Sequence, residues 1–249
     1  MPPLEILGCR VDDADLAEAT ARIAAFARDG RSHRVVTLGT EMIVHAHRDP
    51  AYRVVVNGAD LIVADTIGVV YASRLYATSL RGRVAGIELL ESLCACAASE
   101  GLPVYLLGAA PGVAEAAGAA LAARHPGLRV AGTRDGYFAL ADAPDVAAAI
   151  RESGARILFA ALGFPKQEYF LADWLSASGA GVGMGVGGSF DVLAGRLQRA
   201  PETFRRLGLE WLYRLLREPR RWRRQLALPT FVWLVALERL HAGKGMPSS

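Results

Sequence analysis

Cysteine is scarce, with only Cys9, Cys94 and Cys96 in 249 residues. Three thiols cannot build a disulfide scaffold, and one Cys-x-Cys with no second pair supplies no zinc site. Cys94 and Cys96 fall in a helical pattern, where i and i+2 side chains diverge. A reduced, cytosolic compartment is the expectation. Lysine is nearly absent too: Lys166 and Lys244 stand against 26 arginines. The opening Met-Pro-Pro-Leu-Glu has neither a basic start nor an apolar run, so no signal peptide is expected. Leu226–Leu240, the most apolar late stretch, is shorter than the ~20 residues that span a bilayer. Apolar residues are plentiful, at 52% against 21% charged, which excludes a disordered chain and allows one large domain or two small ones. The 26 glycines follow no Gly-x-y period, so collagen is excluded.

Charge divides the chain. Residues 196–249 hold 12 basic and 4 acidic side chains, net +8, which leaves about −5 for residues 1–195 of the total +3. The two parts also differ in pattern. Up to 195, apolar strands are expected at Leu4–Leu7, Arg34–Leu38, Leu61–Ala64, Val104–Leu107, Arg129–Ala131, Ile157–Ala160 and Val182–Val186. Amphipathic helices are expected at Ala14–Arg28, Glu88–Glu100, Val113–Arg124 and Pro144–Glu152, among others. Asp12 or Asp13 suits an N-cap, and Gly30 and Gly101 suit C-caps. Such alternation predicts an α/β fold, a Rossmann-like, mainly parallel sheet with helices on both faces. Ligands then bind beyond the carboxyl ends of the strands. Residues 201–240 read as helix interrupted at Pro219 and Pro229. Beside an arginine cluster, Leu226–Leu240 suggests a helix lying on a membrane surface; the alternative is a terminal helix packing on its own domain or on a subunit. The expected division is a core, 1–195, and a basic helical membrane-docking appendage, 196–249.

Several motifs mislead. Gly183-x-Gly185-x-x-Gly188 matches the dinucleotide fingerprint, but it lies at the last strand with no second βαβ unit to follow, which argues against a nucleotide-dependent oxidoreductase. His45 and His47 are i, i+2 neighbours and read as surface histidines. No Asp-x-Asp pair is read as a divalent-metal site. Gly108-Ala-Ala-Pro-Gly112, between strand and helix, could receive a phosphate on its amides or be an ordinary turn. Three polar groups at successive strand ends carry more weight. Asp65 follows Leu61–Ala64, where a helix-cap role competes with a functional one. Gly163-Phe-Pro-Lys-Gln-Glu168 follows Ile157–Ala160; Pro165 suits a first helical turn, and Lys166 and Gln167 would face the same crevice. Gly187-Gly-Ser-Phe-Asp191 repeats the pattern one strand later. In the tail, Arg221 and Arg224 share one helical face, and arginine grips phosphate oxygens bidentately. Nucleic acid is disfavoured by the mild overall charge and the lack of a reading helix.

Taken in order, Asp65-x-x-Gly68-Val-Val, Arg83-Val-x-Gly86, Gly132-x-x-x-Gly136-Tyr-Phe, Gly163-x-Pro-Lys-Gln-Glu168, Gly187-Gly-x-Phe-Asp191-x-x-x-Gly195, Arg199-Ala-Pro201 and Glu210-Trp-Leu-Tyr-Arg214 … Glu218-Pro-x-Arg221-x-x-Arg224 resemble the WecG/TagA/CpsF glycosyltransferases (glycosyltransferase family 26) over roughly residues 5–230. The resemblance implies metal-independent, inverting transfer from a UDP-sugar, with no cofactor, to a polyprenyl-diphosphate-linked saccharide at the cytoplasmic membrane face. Donors of the ManNAc, ManNAcA or glucose type, and roles in teichoic-acid, common-antigen or exopolysaccharide assembly, come with it. It implies Asp65 as general base, Thr37 and Arg83 on the acceptor side, and Tyr137, Gln167 and Asp191 in the nucleotide-sugar pocket, with Lys166 beside them. Arg214, Arg221 and Arg224 would close over the diphosphate. Two positions depart from the family pattern: Thr37-Leu-Gly39 replaces the usual Thr-x-Asn, and Asp65-Thr66 the common Asp-Gly, so the acceptor saccharide is left open. Oligomeric state is open as well. An inactive UDP-sugar-binding scaffold protein is the rival reading, against which the intact Asp65 and three arginines weigh.

Overall fold

The fold comes from a computed structural model that describes residues 4–76, 78–206, 212, 213, 215 and 226–244. Arg214, Pro219, Arg221 and Arg224 lie outside the described residues. The chain opens with an antiparallel hairpin, β1 (Leu4–Ile6) and β2 (Cys9–Val11). Its two turn residues, Leu7 and Gly8, both take positive φ, as a two-residue hairpin loop requires. Alternation follows: α1 (Leu16–Phe26), β3 (His33–Leu38), α2 (Thr40–Arg48), α3 (Pro50–Asn57), β4 (Leu61–Ala64), α4 (Ile67–Ser73), α5 (Gly86–Glu100), β5 (Val104–Gly108), α6 (Val113–Arg124), β6 (Val130–Arg134), α7 (Ala143–Ser153), β7 (Ile157–Ala161), α8 (Lys166–Trp174), β8 (Val182–Gly185) and α9 (Ser189–Leu193). Among the described residues, the helices α10 (Glu202–Arg206) and α11 (Ala227–Lys244) come after the last strand.

The six strands β3–β8 pair in parallel in the order β4-β3-β8-β7-β5-β6. Side chains alternate between the faces, as the two-residue period dictates. Val35, Leu61, Val63, Val104, Leu106, Ile157, Phe159, Val182 and Met184 meet α1, α5, α6 and α9 on one face. On the other, Val36, Ile62 and Ala64 meet α2, α3, α4 and the hairpin, while Tyr105, Leu107, Leu158 and Ala160 meet α7 and α8. The α/β, mainly parallel expectation is met.

Local expectations fare unevenly. Gly101 caps α5 in the left-handed region, but α1 ends at Ala27, and Gly30 (φ +82°) lies in the turn beyond it. The N-cap of α1 is Asp15, which accepts from the Glu18 N–H at 2.9 Å. Asp12 instead accepts from the Ile62 N–H, and Asp13 binds Arg81. Pro165 stands just ahead of α8, at its N-cap position. Pro229 does not interrupt a helix; it lies in the first turn of α11, where a missing N–H costs no intrahelical bond. That helix packs on α2 and α4, with Phe231 (1% exposed) and Val235 inside the core cluster of the hairpin, α2 and α4. Its Glu238 accepts from the Leu7 N–H and the Tyr76 hydroxyl. Phe231, within the stretch expected to lie on a membrane surface, is therefore a core residue. Val232, Trp233 and Leu240 remain exposed.

Candidate active site

The carboxyl ends of the strands gather the residues singled out in the sequence. Asp65 directly follows β4, and its backbone N–H donates to the Leu38 carbonyl at 3.0 Å, locking it to the end of β3. Its Oδ1 accepts from the Gly86 N–H at 2.7 Å, at the first residue of α5. The cap of α4 is Thr66, so Asp65 does not serve as that helix's N-cap. Thr37 sits one strand over: its hydroxyl donates to the Gly185 carbonyl at 3.4 Å and lies 3.2 Å from where a Cβ on Gly86 would stand. Residue 86 thus has to be small where Asp65 and Thr37 converge.

Arg83 reaches the same corner on the loop from α4 to α5. The Val84 N–H donates to the Ala64 carbonyl at 2.8 Å, which lays the loop against the end of β4. Arg81 anchors the loop further down, through Asp13, Asp15 and Glu18. Asp13 and Asp15 form an Asp-x-Asp pair, but both are matched to this guanidinium. Among the described residues, no group of three or more His, Cys, Asp or Glu side chains is placed to hold a metal ion. His45 lies against Tyr52 and Phe164 with part of its ring at the surface, and His47 is exposed.

The two departures from the expected pattern turn out to be neighbours. A Cβ on Gly39 would lie 3.4 Å from the Thr66 methyl, an ordinary contact, so Thr66 fills the space beside Gly39. The Thr66 hydroxyl is buried without a hydrogen bond. Their adjacency across β3 and β4 is a property of the sheet and is not visible along the chain.

The other side of the crevice lies over β7, β5 and β8. From β5 the chain runs outward through α6 to β6, whereas from β7 it runs inward through α8 to β8. The strand order reverses between them, the place where open α/β sheets hold ligands. Gly108 (φ +125°) touches the Ala161 backbone so closely that no Cβ could fit, and Gly108–Gly112 leads into α6 there. Arg196 donates to the Pro111 carbonyl at 3.4 Å across this loop. The turn after β6 folds back over it, with the Gly136 N–H on the Ala109 carbonyl at 2.9 Å. This brings in Tyr137, which is largely exposed, and Lys166, whose Nζ donates to the Gly136 carbonyl at 3.1 Å and lies over the Phe138 ring.

Gln167 is buried against β8. A Cβ on Gly185 would lie 2.5 Å from its Nε2, and one on Gly183 would strike Leu171 and Leu175. These two glycines serve the close approach of α8, which is why the fingerprint spacing appears without a dinucleotide motif. Asp191 follows in α9, partly exposed, and its carbonyl accepts from the N–H groups of Arg196 and Leu197. Arg199 pairs with Glu88 in the first turn of α5, so the start of the basic segment is tied down next to Gly86. Glu168, a residue with no role in the sequence reading, is buried, and desolvation pushes its carboxyl up to about 7. Nothing local in the sequence marks it beyond its place in the Lys-Gln-Glu triplet.

No helix among the described residues is long and apolar enough to cross a membrane. A curated relative from Bacillus spizizenii, an N-acetylglucosaminyldiphosphoundecaprenol N-acetyl-beta-D-mannosaminyltransferase, is 40% identical over 201 residues, covering 81% of this chain and 77% of the relative. The model of the glycosyl transferase WecG/TagA/CpsF family matches residues 4–245. With that match across nearly its whole length, the chain belongs to the glycosyl transferase WecG/TagA/CpsF family.

Proposed function

We propose that this glycosyltransferase moves a sugar from a UDP-sugar to a polyprenyl-diphosphate-linked saccharide, with inversion and without a metal ion or cofactor. UDP-ManNAc is the first donor to try, ahead of the ManNAcA and glucose types, because the Bacillus relative is named for N-acetylmannosaminyl transfer. The carrying observation is Asp65, held at a strand end by the Gly86 N–H with Thr37 beside it. In the proposed reaction an acceptor hydroxyl loses its proton to Asp65 as its oxygen attacks the anomeric carbon. The bond from that carbon to the UDP oxygen breaks, and UDP leaves with the electron pair. A positioned base of this kind contributes ~10²–10⁴-fold. Thr37 and Arg83 would hold the acceptor; Tyr137, Lys166, Gln167 and Asp191 would form the donor side. Arg214, Arg221 and Arg224 would meet the diphosphate, since fixed guanidiniums can stabilise a charged leaving group where water is excluded.

The same reading puts the chain on the inner face of the plasma membrane, as a peripheral protein acting in cell-envelope polysaccharide assembly. Two features support it: net +8 in residues 196–249, and the exposed Val232, Trp233 and Leu240 of α11. Gly39 and Thr66 change the wall next to the proposed base, so the acceptor saccharide is to be identified by trial. The experiment supplies UDP-ManNAc, UDP-ManNAcA and UDP-glucose in turn with a panel of polyprenyl-diphosphate saccharides and follows lipid mass. A gain of one sugar residue with release of UDP is expected. Binding of UDP-sugars with no product from any pair would favour the inactive scaffold instead.

A further inference from the structure

The Gln167 amide uses both of its ends inside the protein. Its Nε2 donates to Glu168 Oε1 at 2.8 Å, and its Oε1 accepts from the Gly187 N–H at 3.1 Å. Gly187 (φ +50°) opens the turn from β8 to α9, and α9 carries Asp191. A primary amide fits such a place in two orientations related by a half-turn. In the wrong one its NH₂ would face the Gly187 N–H, donor against donor. An unprotonated carboxylate oxygen only accepts, so Glu168 Oε1 on the far side favours the orientation that serves Gly187.

Glu168 is costly to keep. It is 4% exposed, and its Oε2 makes no hydrogen bond of good geometry. The Tyr52 hydroxyl, fully buried, stands beside it from α3 and interacts with this carboxyl, outside ordinary hydrogen-bond geometry. An apolar side chain would fill this volume without the desolvation penalty. What an apolar side chain could not do is set the Gln167 amide. The missing side chain at Gly185 lets Gln167 lie flat on β8, where the bond to Gly187 is in reach.

We propose that Glu168 is a positioning residue, which fixes the Gln167 amide so that Gln167 holds the Gly187–Gly188 turn, and Asp191 after it, in place on the donor side of the crevice. The assignment rests on the reading of that side as the nucleotide-sugar pocket. The test compares Glu168→Leu with Glu168→Gln, whose amide carbonyl keeps an acceptor for Gln167. Two readouts are taken on the full chain: hydrogen exchange of the Gly187 amide, and KM for the UDP-sugar and for the lipid acceptor separately. Glu168→Leu should speed Gly187 exchange and raise the UDP-sugar KM, each by about tenfold, the scale of one hydrogen bond. The acceptor KM should stay within about twofold, because the Asp65 side is untouched. Glu168→Gln should restore both donor-side readouts to within about threefold. Should Glu168→Leu not fold, Glu168→Met, unbranched and adaptable, carries the same expectation. Wild-type Gly187 exchange in the folded apolar variant, or no restoration by Glu168→Gln, overturns the proposal. A wild-type chain that neither binds UDP nor transfers sugar would fail the transferase reading instead, since Gly187 exchange is measured without substrate.

Discussion

At the scale of single residues, the site depends on which polar groups are held by backbone and which are buried at a cost. Asp65 belongs to the first kind: the Leu38 carbonyl holds its N–H, and the Gly86 N–H holds its Oδ1. Glu168 belongs to the second and gives a pH prediction. Its carboxyl binds a proton more tightly folded, at about 7, than at its ordinary 4.5. Its contribution is therefore most favourable below about 4.5 and declines as pH rises to about 7. Glu168→Gln, which cannot ionise, should gain stability over wild type at pH 8 relative to pH 5. The upper bound is roughly 3 kcal/mol. Urea unfolding of both proteins at the two pH values checks it; an equal difference at both would refute the buried-carboxyl account. Asp65 was legible because it ends an apolar run. Glu168 was not, because its burial comes from Tyr52 on α3, over 100 positions away. By sequence Asp12 or Asp13 suits the N-cap of α1, whereas Asp15 takes it. Partners distant in the chain, Ile62 and Arg81, claim the first two.

Among the elements, α11 shows how composition can hide direction. Its apolar residues surround the helix, so no stripe tells which side faces the protein. In the structure one side, Phe231 and Val235, enters the core while Trp233 (61% exposed) faces outward. Phe231→Ala should therefore cost about 3–5 kcal/mol, the range for buried phenylalanine. Trp233→Ala should change stability by no more than ~0.5 kcal/mol and yet weaken binding to anionic vesicles several-fold. Thermal unfolding and vesicle sedimentation separate the two effects. A Trp233→Ala protein that sediments like wild type would remove α11 from the proposed docking surface. The strands, by contrast, were legible to within a few residues, because the buried parallel ones are nearly continuous apolar runs. Among the described strands, only Cys9–Val11 escaped notice, since three residues give too short a period to read.

For the whole molecule, the sheet order decides what the separate motifs can do together. Asp65 follows β4 and Thr37 lies near the end of β3, at one edge, while Tyr137 enters on a turn after β6 at the other. Neighbouring strands are ~4.8 Å apart, so β4 and β6 are separated by roughly 24 Å. The fold-back of residues 135–137 over β5 and β7 shortens that gap, and in the proposed reaction one crevice would serve both substrates. Motif order along the chain could not reveal this, because β8, last in sequence, is central in space. The basic segment begins at the same crevice, tied there by Arg199 to Glu88. Membrane docking and closure over a diphosphate are thus proposed for one continuous stretch. The most direct measurement is UDP release by the full chain with UDP-sugar and lipid acceptor in excess EDTA, for wild type and Asp65→Asn. Wild type should turn over undiminished by EDTA, and Asp65→Asn, with unchanged UDP-sugar affinity, should be at least ~10²-fold slower. Near-wild-type turnover by Asp65→Asn, or activity lost in EDTA and restored by Mg²⁺ or Mn²⁺, would contradict metal-independent catalysis by Asp65.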